Sequence, residues 1–396
     1  MEPVPSTELT VRVQALQKAL APAGIGLALI RQPADLFYYA GTLVDGFLAV
    51  APQGQPSLLV RRPHHQDHST PGPWPRVRYR DLKELPQILG QAGLDPQGAV
   101  AMELDVIPAA WFRRIQEQLF PGQPIVDLSP LIRIQRMVKS PYEITQFHRA
   151  AAILDEVHAQ VPAFLQPGLS ELEVSAALEY RLRLLGHQGL VRVRNWDLEV
   201  YYGHVLSGVS GLLAAYTDTP SGGPGFSAAF PQGASLKKLA PNEPISIDLA
   251  ACVNGYIVDM TRMYALGSLP SQVWETWEAV EELYRLFTAL ARPGASPGEI
   301  YHLLGDAVRT RGLADFFMGL SNDRVSFLAH GVGLELDEFP FITARFPYPL
   351  EADMVLAFEP KFFLPEIGMI GQEDTGRITP TGVEWLTHSP RGITIV

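Results

Sequence analysis

The stretch PISIDLAACVNGYIVDMTRM, residues 244–263, constrains the fold more than any other part of the chain. Asn254-Gly255 between two β-rich runs is a strong hairpin signal, because both central residues of a type I′ turn need positive φ. With these two as the loop, Val253 faces Tyr256, Asp259 lies opposite Ala250, and Asp248 lies opposite Thr261. The two acids then share one face as diagonal neighbours, with Cβ atoms roughly 7 Å apart. Ile245, Ile247, Leu249, Val253, Val258 and Met260 take the other face and read as core. Like charges on one face of a half-buried hairpin repel, so a metal ion is the economical expectation for what neutralises them.

The same oddity recurs further on. Glu359 ends the apolar run of DMVLAFEPKFF, and Glu373 and Asp374 sit inside IGMIGQEDTGRIT. Between the two regions, SFLAHGVGLELDEFP sets His330 against Gly331 and Gly333. A single acid at a strand end is ordinarily solvated or paired, and a lone histidine in a Gly-rich loop is ordinarily just a loop residue. Four carboxylates and an imidazole in apolar strands resist that reading. With the imidazole neutral, they balance two divalent cations. Oxygen-rich ligation favours Mn²⁺ or another hard cation, with zinc, cobalt and iron also compatible.

Residues 1–138 read as a small α/β domain. A helix from Glu8 to Leu20 leads into short strands at GLALI (26–30), LFYYAG (36–41), GFLAVAP (46–52), PSLLV (56–60) and AVAMEL (99–104). Ile132 to Lys139 reads as a linker. Three helix starts follow with one chemistry: Ser140-Pro-Tyr-Glu143, Ser170-Glu-Leu-Glu173 and Ser296-Pro-Gly-Glu299 match the capping box. Gly186 suits the end of the second helix, and a further helix spans 271–291. Two helices, strands, two helices and strands again make an α+β layer used twice. Trp274, Trp277, Val280, Leu283 and Phe287 follow helical spacing and read as packing, inside the fold or at a subunit contact.

A formal charge of −11 argues against nucleic-acid or anionic-membrane partners. No apolar run reaches the roughly 18 residues of a spanning helix. The N-terminal residues do not resemble a secretory signal. A lone cysteine, Cys252, excludes an internal disulfide, and a cytoplasmic location is the default expectation.

Taken in order, Asp248, the GYIVDMTR motif (255–262), His330-Gly-Val-Gly, Glu359-Pro and Glu373-Asp resemble the M24 family, the aminopeptidase P, prolidase and creatinase group. The resemblance implies a pita-bread catalytic domain over residues 139–396, preceded by a creatinase-like N-terminal domain over residues 1–138. It implies a dinuclear centre ligated by Asp248, Asp259, His330, Glu359 and Glu373, with Glu359 as general acid/base, and a homodimer. An Xaa-Pro aminopeptidase or proline dipeptidase is the leading expectation for activity.

The chain also departs from that pattern. Gln232 and Asp337 stand where the peptidases have two histidines, Gly371 where an arginine precedes the last ligand, and Ala250 where a glycine follows the first aspartate. Gln232 keeps a donor but cannot shuttle a proton. Asp337, ionised, would repel an oxyanion and suits a cationic substrate group instead. These changes keep two alternatives open: hydrolysis of a small non-peptide C–N bond, and a metal-retaining protein without catalysis. His204 is the candidate replacement proton donor. The glycine-rich segment at 221–225 reads as a flexible surface loop, the His64, His65, Asp67 and His68 cluster as a surface loop or helix start, and Cys252 as a packed thiol.

Overall fold

A computed structural model describes residues 3–62, 72–194, 198–200 and 202–396. The His64, His65, Asp67 and His68 cluster lies outside the described residues. Contacts divide the chain into two units, Met1–Arg136 and Met137–Val396.

The first unit runs α1 (Ser6–Leu20), β1 (Ile25–Ile30), α2 (Pro33–Ala40), β2 (Asp45–Val50), β3 (Ser57–Arg62), β4 (Arg76–Arg78), α3 (Leu85–Gln91), β5 (Ala99–Met102), α4 (Ala109–Gln118), β6 (Ile125–Asp127) and α5 (Ser129–Met137). Its strands form one sheet in the order β4-β3-β2-β1-β5-β6. Leu27, Leu29, Phe47, Leu59 and Val100 pack one face of it against Leu85, Leu89, Ile115 and Leu119.

Two expectations fail here. LFYYAG (36–41) is not a strand but the body of α2, which Pro33 opens, the Gln32 side chain caps by accepting from the Asp35 amide, and Gly41 closes at φ 68. Ile132 to Lys139 is not a linker either, because helix α5 extends through Met137. Buried Arg136 on that helix binds Asp35 at 2.5 Å, a pairing a loose connector would not maintain.

The second unit opens with α6 (Pro141–Gln160) and α7 (Glu171–Leu185), followed by β7 (Gly203–Ser207), β8 (Pro244–Val253) and β9 (Tyr256–Ala265). Then come α8 (Ser271–Leu290), α9 (Pro297–Thr310), β10 (Phe327–Gly331), β11 (Glu338–Thr343), β12 (Val355–Phe358), β13 (Lys361–Leu364), β14 (Gly368–Gly371), β15 (Asp374–Thr379), β16 (Gly382–Trp385) and β17 (Ile393–Ile395). This is the mixed α+β order expected. Ser140 and Ser170 form complete capping boxes. At the third start the Ser296 hydroxyl accepts from the Glu299 amide, the first half of the box. Gly186 closes α7 at φ 108.

One sheet orders its strands β17-β9-β8-β7, a second β11-β10-β12-β15-β16, and β13 pairs with β14 alone. The β8–β9 hairpin has the register its turn dictates: Val253 pairs with Tyr256, Ala250 with Asp259, and Asp248 with Thr261. Asn254 and Gly255 both adopt positive φ, 50 and 91°. Both faces of the hairpin are covered, because Ala250, Cys252 and Ile257 on the acid side cluster with Val191. On α8, Trp277, Val280, Leu283 and Phe287 are buried inside the unit, and Phe287 stacks on Phe358 at 4.1 Å. That stripe is internal packing; Trp274 alone of the five is exposed.

Candidate metal centre

Five chain segments bring the acids and the imidazole together. Asp248 comes from β8, Asp259 from β9 and His330 from β10; Glu359 follows β12, and Glu373 sits between β14 and β15. Alternation along the hairpin turns both aspartates to one side. Antiparallel pairing of β10 with β12 sets Ala329 opposite Phe358 and brings Glu359 beside His330. His330 Nε2 lies 3.6 Å from Glu359 Oε1 and 3.5 Å from Glu373 Oε1. One ligand atom from each of Asp259, His330 and Glu373 falls within 4.8 Å of the others, and all three residues are buried.

Surrounding contacts fix these groups. His330 Nδ1 donates to the Leu336 carbonyl at 3.0 Å, leaving Nε2 as its free ligand atom. Thr261 Oγ1 donates to Glu373 Oε2 at 3.0 Å. The Asp259 amide donates to Thr375 Oγ1, whose hydroxyl donates back to the Asp259 carbonyl. Arg262 binds the Glu373 carbonyl at 2.8 Å and the Asp374 carboxylate at 2.5 Å.

Crowding of like charge shows in the acidities. Burial, then Glu373 and Asp248, push the Asp259 carboxyl well above its ordinary range. Burial raises Glu359 to about 7, against the pull of Lys361. For His330, burial alone would lower the pKa, but Glu373, Asp337 and Glu359 hold it well above its usual value. Such a cluster calls for a cation.

Part of that cation is already in the chain. Lys361, 2% exposed, places Nζ 2.6 Å from Glu359 Oε2, 3.0 Å from Asp248 Oδ2 and 3.3 Å from Glu373 Oε2. Sequence reading missed this residue, although a signal was present. Glu359 and Lys361 are two apart on extended backbone, where alternate side chains share a face. Burial opposes the charge, but the three carboxylates hold the ammonium protonated.

Gln232 and Asp337 also line this cleft. Gln232 Nε2 donates to His204 Nε2 at 3.2 Å, and Thr217 Oγ1 donates to Gln232 Oε1 at 2.9 Å. His204 is hydrogen-bonded to the Ser221 backbone and pairs with Asp248 across β7–β8. Burial lowers its pKa, so it is a neutral ring whose Nε2 accepts. Asp337 Oδ1 lies 3.4 Å from His330 Nδ1, beside the Leu336 carbonyl that this nitrogen already serves. Leu198, Val200, Phe327 and Leu336 supply an apolar wall.

The glycine-rich segment is not a flexible surface loop. Ser221, Gly222 and Gly223 are buried. Gly222 and Gly223 donate to the Leu213 carbonyl, Gly225 to that of Gly233, and Gly233 to that of Gly222. A Cβ on Gly225 would lie 2.4 Å from the Gln232 backbone nitrogen, so glycine there lets the segment carrying Gln232 pack close. Cys252 is inert: burial pushes its thiol up to about 12. A histidine does lie near it, but His187 Nδ1 is spent accepting the Cys252 amide at 2.8 Å.

The donor set fits a divalent ion in front of His330. Glu373 Oε1 is buried and has no hydrogen-bond partner among the described residues, and it faces His330 Nε2 together with Asp259. An unpartnered buried carboxylate oxygen beside a free imidazole nitrogen is the arrangement a metal completes.

Comparison with known proteins agrees with this geometry. Residues 12–138 match the creatinase/prolidase N-terminal domain. The chain is 29% identical over 273 residues to the uncharacterized peptidase YqhT of Bacillus subtilis, covering 69% of this chain and 68% of that one. It is 24% identical to the Xaa-Pro dipeptidase of Pyrococcus furiosus, over 96% of this chain and 98% of that one. The structure of an Xaa-Pro dipeptidase from Bacillus anthracis superposes with a TM-score of 0.82 at 23% identity, covering 98% of this chain and 100% of the other, and so shares the pita-bread fold. Residues 145–380, more than half of the chain and all five acid and histidine positions, match the family model of metallopeptidase family M24, to which this chain belongs.

Proposed function

We propose that the chain is a metal-dependent hydrolase of short peptides, with Xaa-Pro substrates the leading class. The observation that carries this reading is the convergence of Asp259, His330 Nε2 and the unpartnered Glu373 Oε1 at the floor of a cleft. Relatives named Xaa-Pro dipeptidase support the peptide class. A divalent ion held there would supply Lewis-acid polarisation of the scissile carbonyl.

The remaining work falls to side chains on the page. Glu359 Oε1 faces the centre from beside His330 and is positioned to take and return a proton. Gln232, oriented by Thr217, points an amide donor into the cleft beside neutral His204, which is placed to orient substrate. Asp337 at the rim suits the positive amino terminus of a short peptide. The apolar wall of Leu198, Val200, Phe327 and Leu336 suits a proline ring. Mn²⁺ is the favoured ion on its oxygen-rich ligands, a homodimer the favoured assembly by resemblance, and the cytoplasm the default location for a chain with a lone cysteine.

The test incubates Mn²⁺-reconstituted protein with a peptide library, half carrying proline at the second position, and follows N-terminal residue release by mass spectrometry. Release confined to Xaa-Pro peptides, and lost in Glu359→Gln, is the expected result. Silence across the library with metal bound would sink the peptidase reading in favour of a small non-peptide amide or a binding role.

A further inference from the structure

Two divalent ions were the expectation for this centre, and the side chains divide it unevenly. Glu359 and Glu373 each split their oxygens between two places. Their Oε1 atoms face His330 Nε2 at 3.6 and 3.5 Å, while their Oε2 atoms face Lys361 Nζ at 2.6 and 3.3 Å. Asp248 Oδ2 closes the second place, also on Nζ, at 3.0 Å. Both places are therefore bounded by carboxylates, and only the first is still open to an ion.

We propose that the Lys361 ammonium permanently holds the position of a second cation, so that this centre takes one divalent ion, between Asp259, His330 and Glu373. A dication in the second place would need the same oxygens at roughly 2.0–2.2 Å. It would then lie against a like-charged ammonium. Lys361 is 2% exposed and fixed at the start of β13, opposite Gly371 on β14. The partner strand is shaped to admit it. A Cβ on Gly371 would lie 2.8 Å from both Cα and Cγ of Lys361, so glycine there leaves the lysine stem its path. The lysine's single positive charge offsets part of the charge of Asp248 and the two glutamates without a metal, and it leaves Glu373 Oε1 to the ion in front of His330.

This inference rests on reading the site as a metal centre, and the experiment separates the two. Full-length protein is dialysed against excess Mn²⁺, metal per chain is counted by plasma mass spectrometry, and the bound ion is examined by electron paramagnetic resonance. One ion per chain with the signal of an isolated Mn²⁺ is expected for the wild type. Two ions and an exchange-coupled pair are expected for Lys361→Ala and for Lys361→Met, which keeps the stem and removes the charge. A coupled pair in the wild type would overturn the inference and leave the metallohydrolase standing. A wild type that retains no ion would overturn both. A count that stays at one in folded Lys361→Ala and Lys361→Met would show that something other than the ammonium excludes the second ion, and would also overturn it. Should neither variant fold, the wild-type count and spectrum decide the matter alone.

Discussion

Lys361 and Gly371 face each other across the β13–β14 pair, and the absence of a side chain on the glycine gives the lysine its course into the acid cluster. A methyl group at 371 would meet the Pro360 carbonyl oxygen at 2.6 Å as well as the lysine stem at 2.8 Å. Backbone and a buried stem cannot both yield, so Gly371→Ala overpacks the site. We expect it to cost about 1–3 kcal/mol, read as a lower urea midpoint with an unchanged slope. A midpoint equal to that of the wild type would show that β14 gives way without strain.

Thr261 acts on the metal place through Glu373. Its hydroxyl donates to Glu373 Oε2 at 3.0 Å from a fully buried position opposite Asp248. Thr261→Val keeps the shape and removes the donor, leaving Glu373 free to turn. Loss of such outer support typically weakens a metal site about 10–100-fold. Titration with Mn²⁺ should show that loss of affinity while far-UV circular dichroism stays the same. Unchanged affinity would mean that Lys361 and the Arg262-held backbone orient Glu373 without the hydroxyl.

His187 makes the protein acid-sensitive away from the metal. Burial, and then the charge of Arg183, lower its pKa to about 4. Between about pH 6.5 and 4 the unfolded chain therefore binds a proton that the folded chain refuses. The stability contributed by the neutral ring is complete above about pH 6.5 and drains away as pH falls through that window, by at most about 1.4 kcal/mol per unit. His187→Asn keeps an acceptor for the Cys252 amide and cannot titrate. Urea midpoints at pH 7.5 and 5.0 should converge in the variant relative to the wild type. A pH dependence that persists unchanged would place the acid sensitivity elsewhere.

Much of this site was legible in the residues. Asn254-Gly255 permits essentially one hairpin, so the register of Asp248 and Asp259 followed from the turn alone. His330, Glu359 and Glu373 stood out because bare polar groups in apolar strands need a reason. Gln232 and Asp337 were placed by resemblance, and both line the cleft. Other features were hidden for physical reasons. In α2, Ala34, Leu36, Tyr38, Tyr39 and Ala40 are all buried, so the segment lacks the polar face that marks a surface helix and reads as a strand. The glycines at 222–225 look like flexibility, and only tertiary contacts show them packed. Lys361, between Pro360 and two phenylalanines, looks like a lysine ending a strand toward water. The three carboxylates that surround it come from Glu359 beside it, Asp248 a hundred and thirteen residues away and Glu373 twelve away. Sequence distance hid that meeting.

Arg262 ties the hairpin to the last ligand and tests how far the centre depends on its frame. The guanidinium, 2% exposed, reaches the Thr261 and Glu373 carbonyls, the Ser389 carbonyl and the Asp374 carboxylate. Asp374 is fully buried, so removing Arg262 leaves its charge with Arg391 and the Thr387 hydroxyl as its remaining side-chain partners among the described residues. Breaking one side of a buried pair costs about 3–5 kcal/mol, and Arg262→Ala should fall in that range. Arg262→Ala with Asp374→Asn should cost less than the sum of the single changes, with a coupling of about 0.5–3 kcal/mol. Arg262→Lys keeps the charge but cannot span both carbonyls and the carboxylate. It should therefore fold with a smaller loss of stability and still bind Mn²⁺ more weakly, because the Glu373 backbone is no longer held. If Arg262→Lys binds metal as tightly as the wild type, the guanidinium serves the fold alone and Glu373 is positioned by its side-chain contacts.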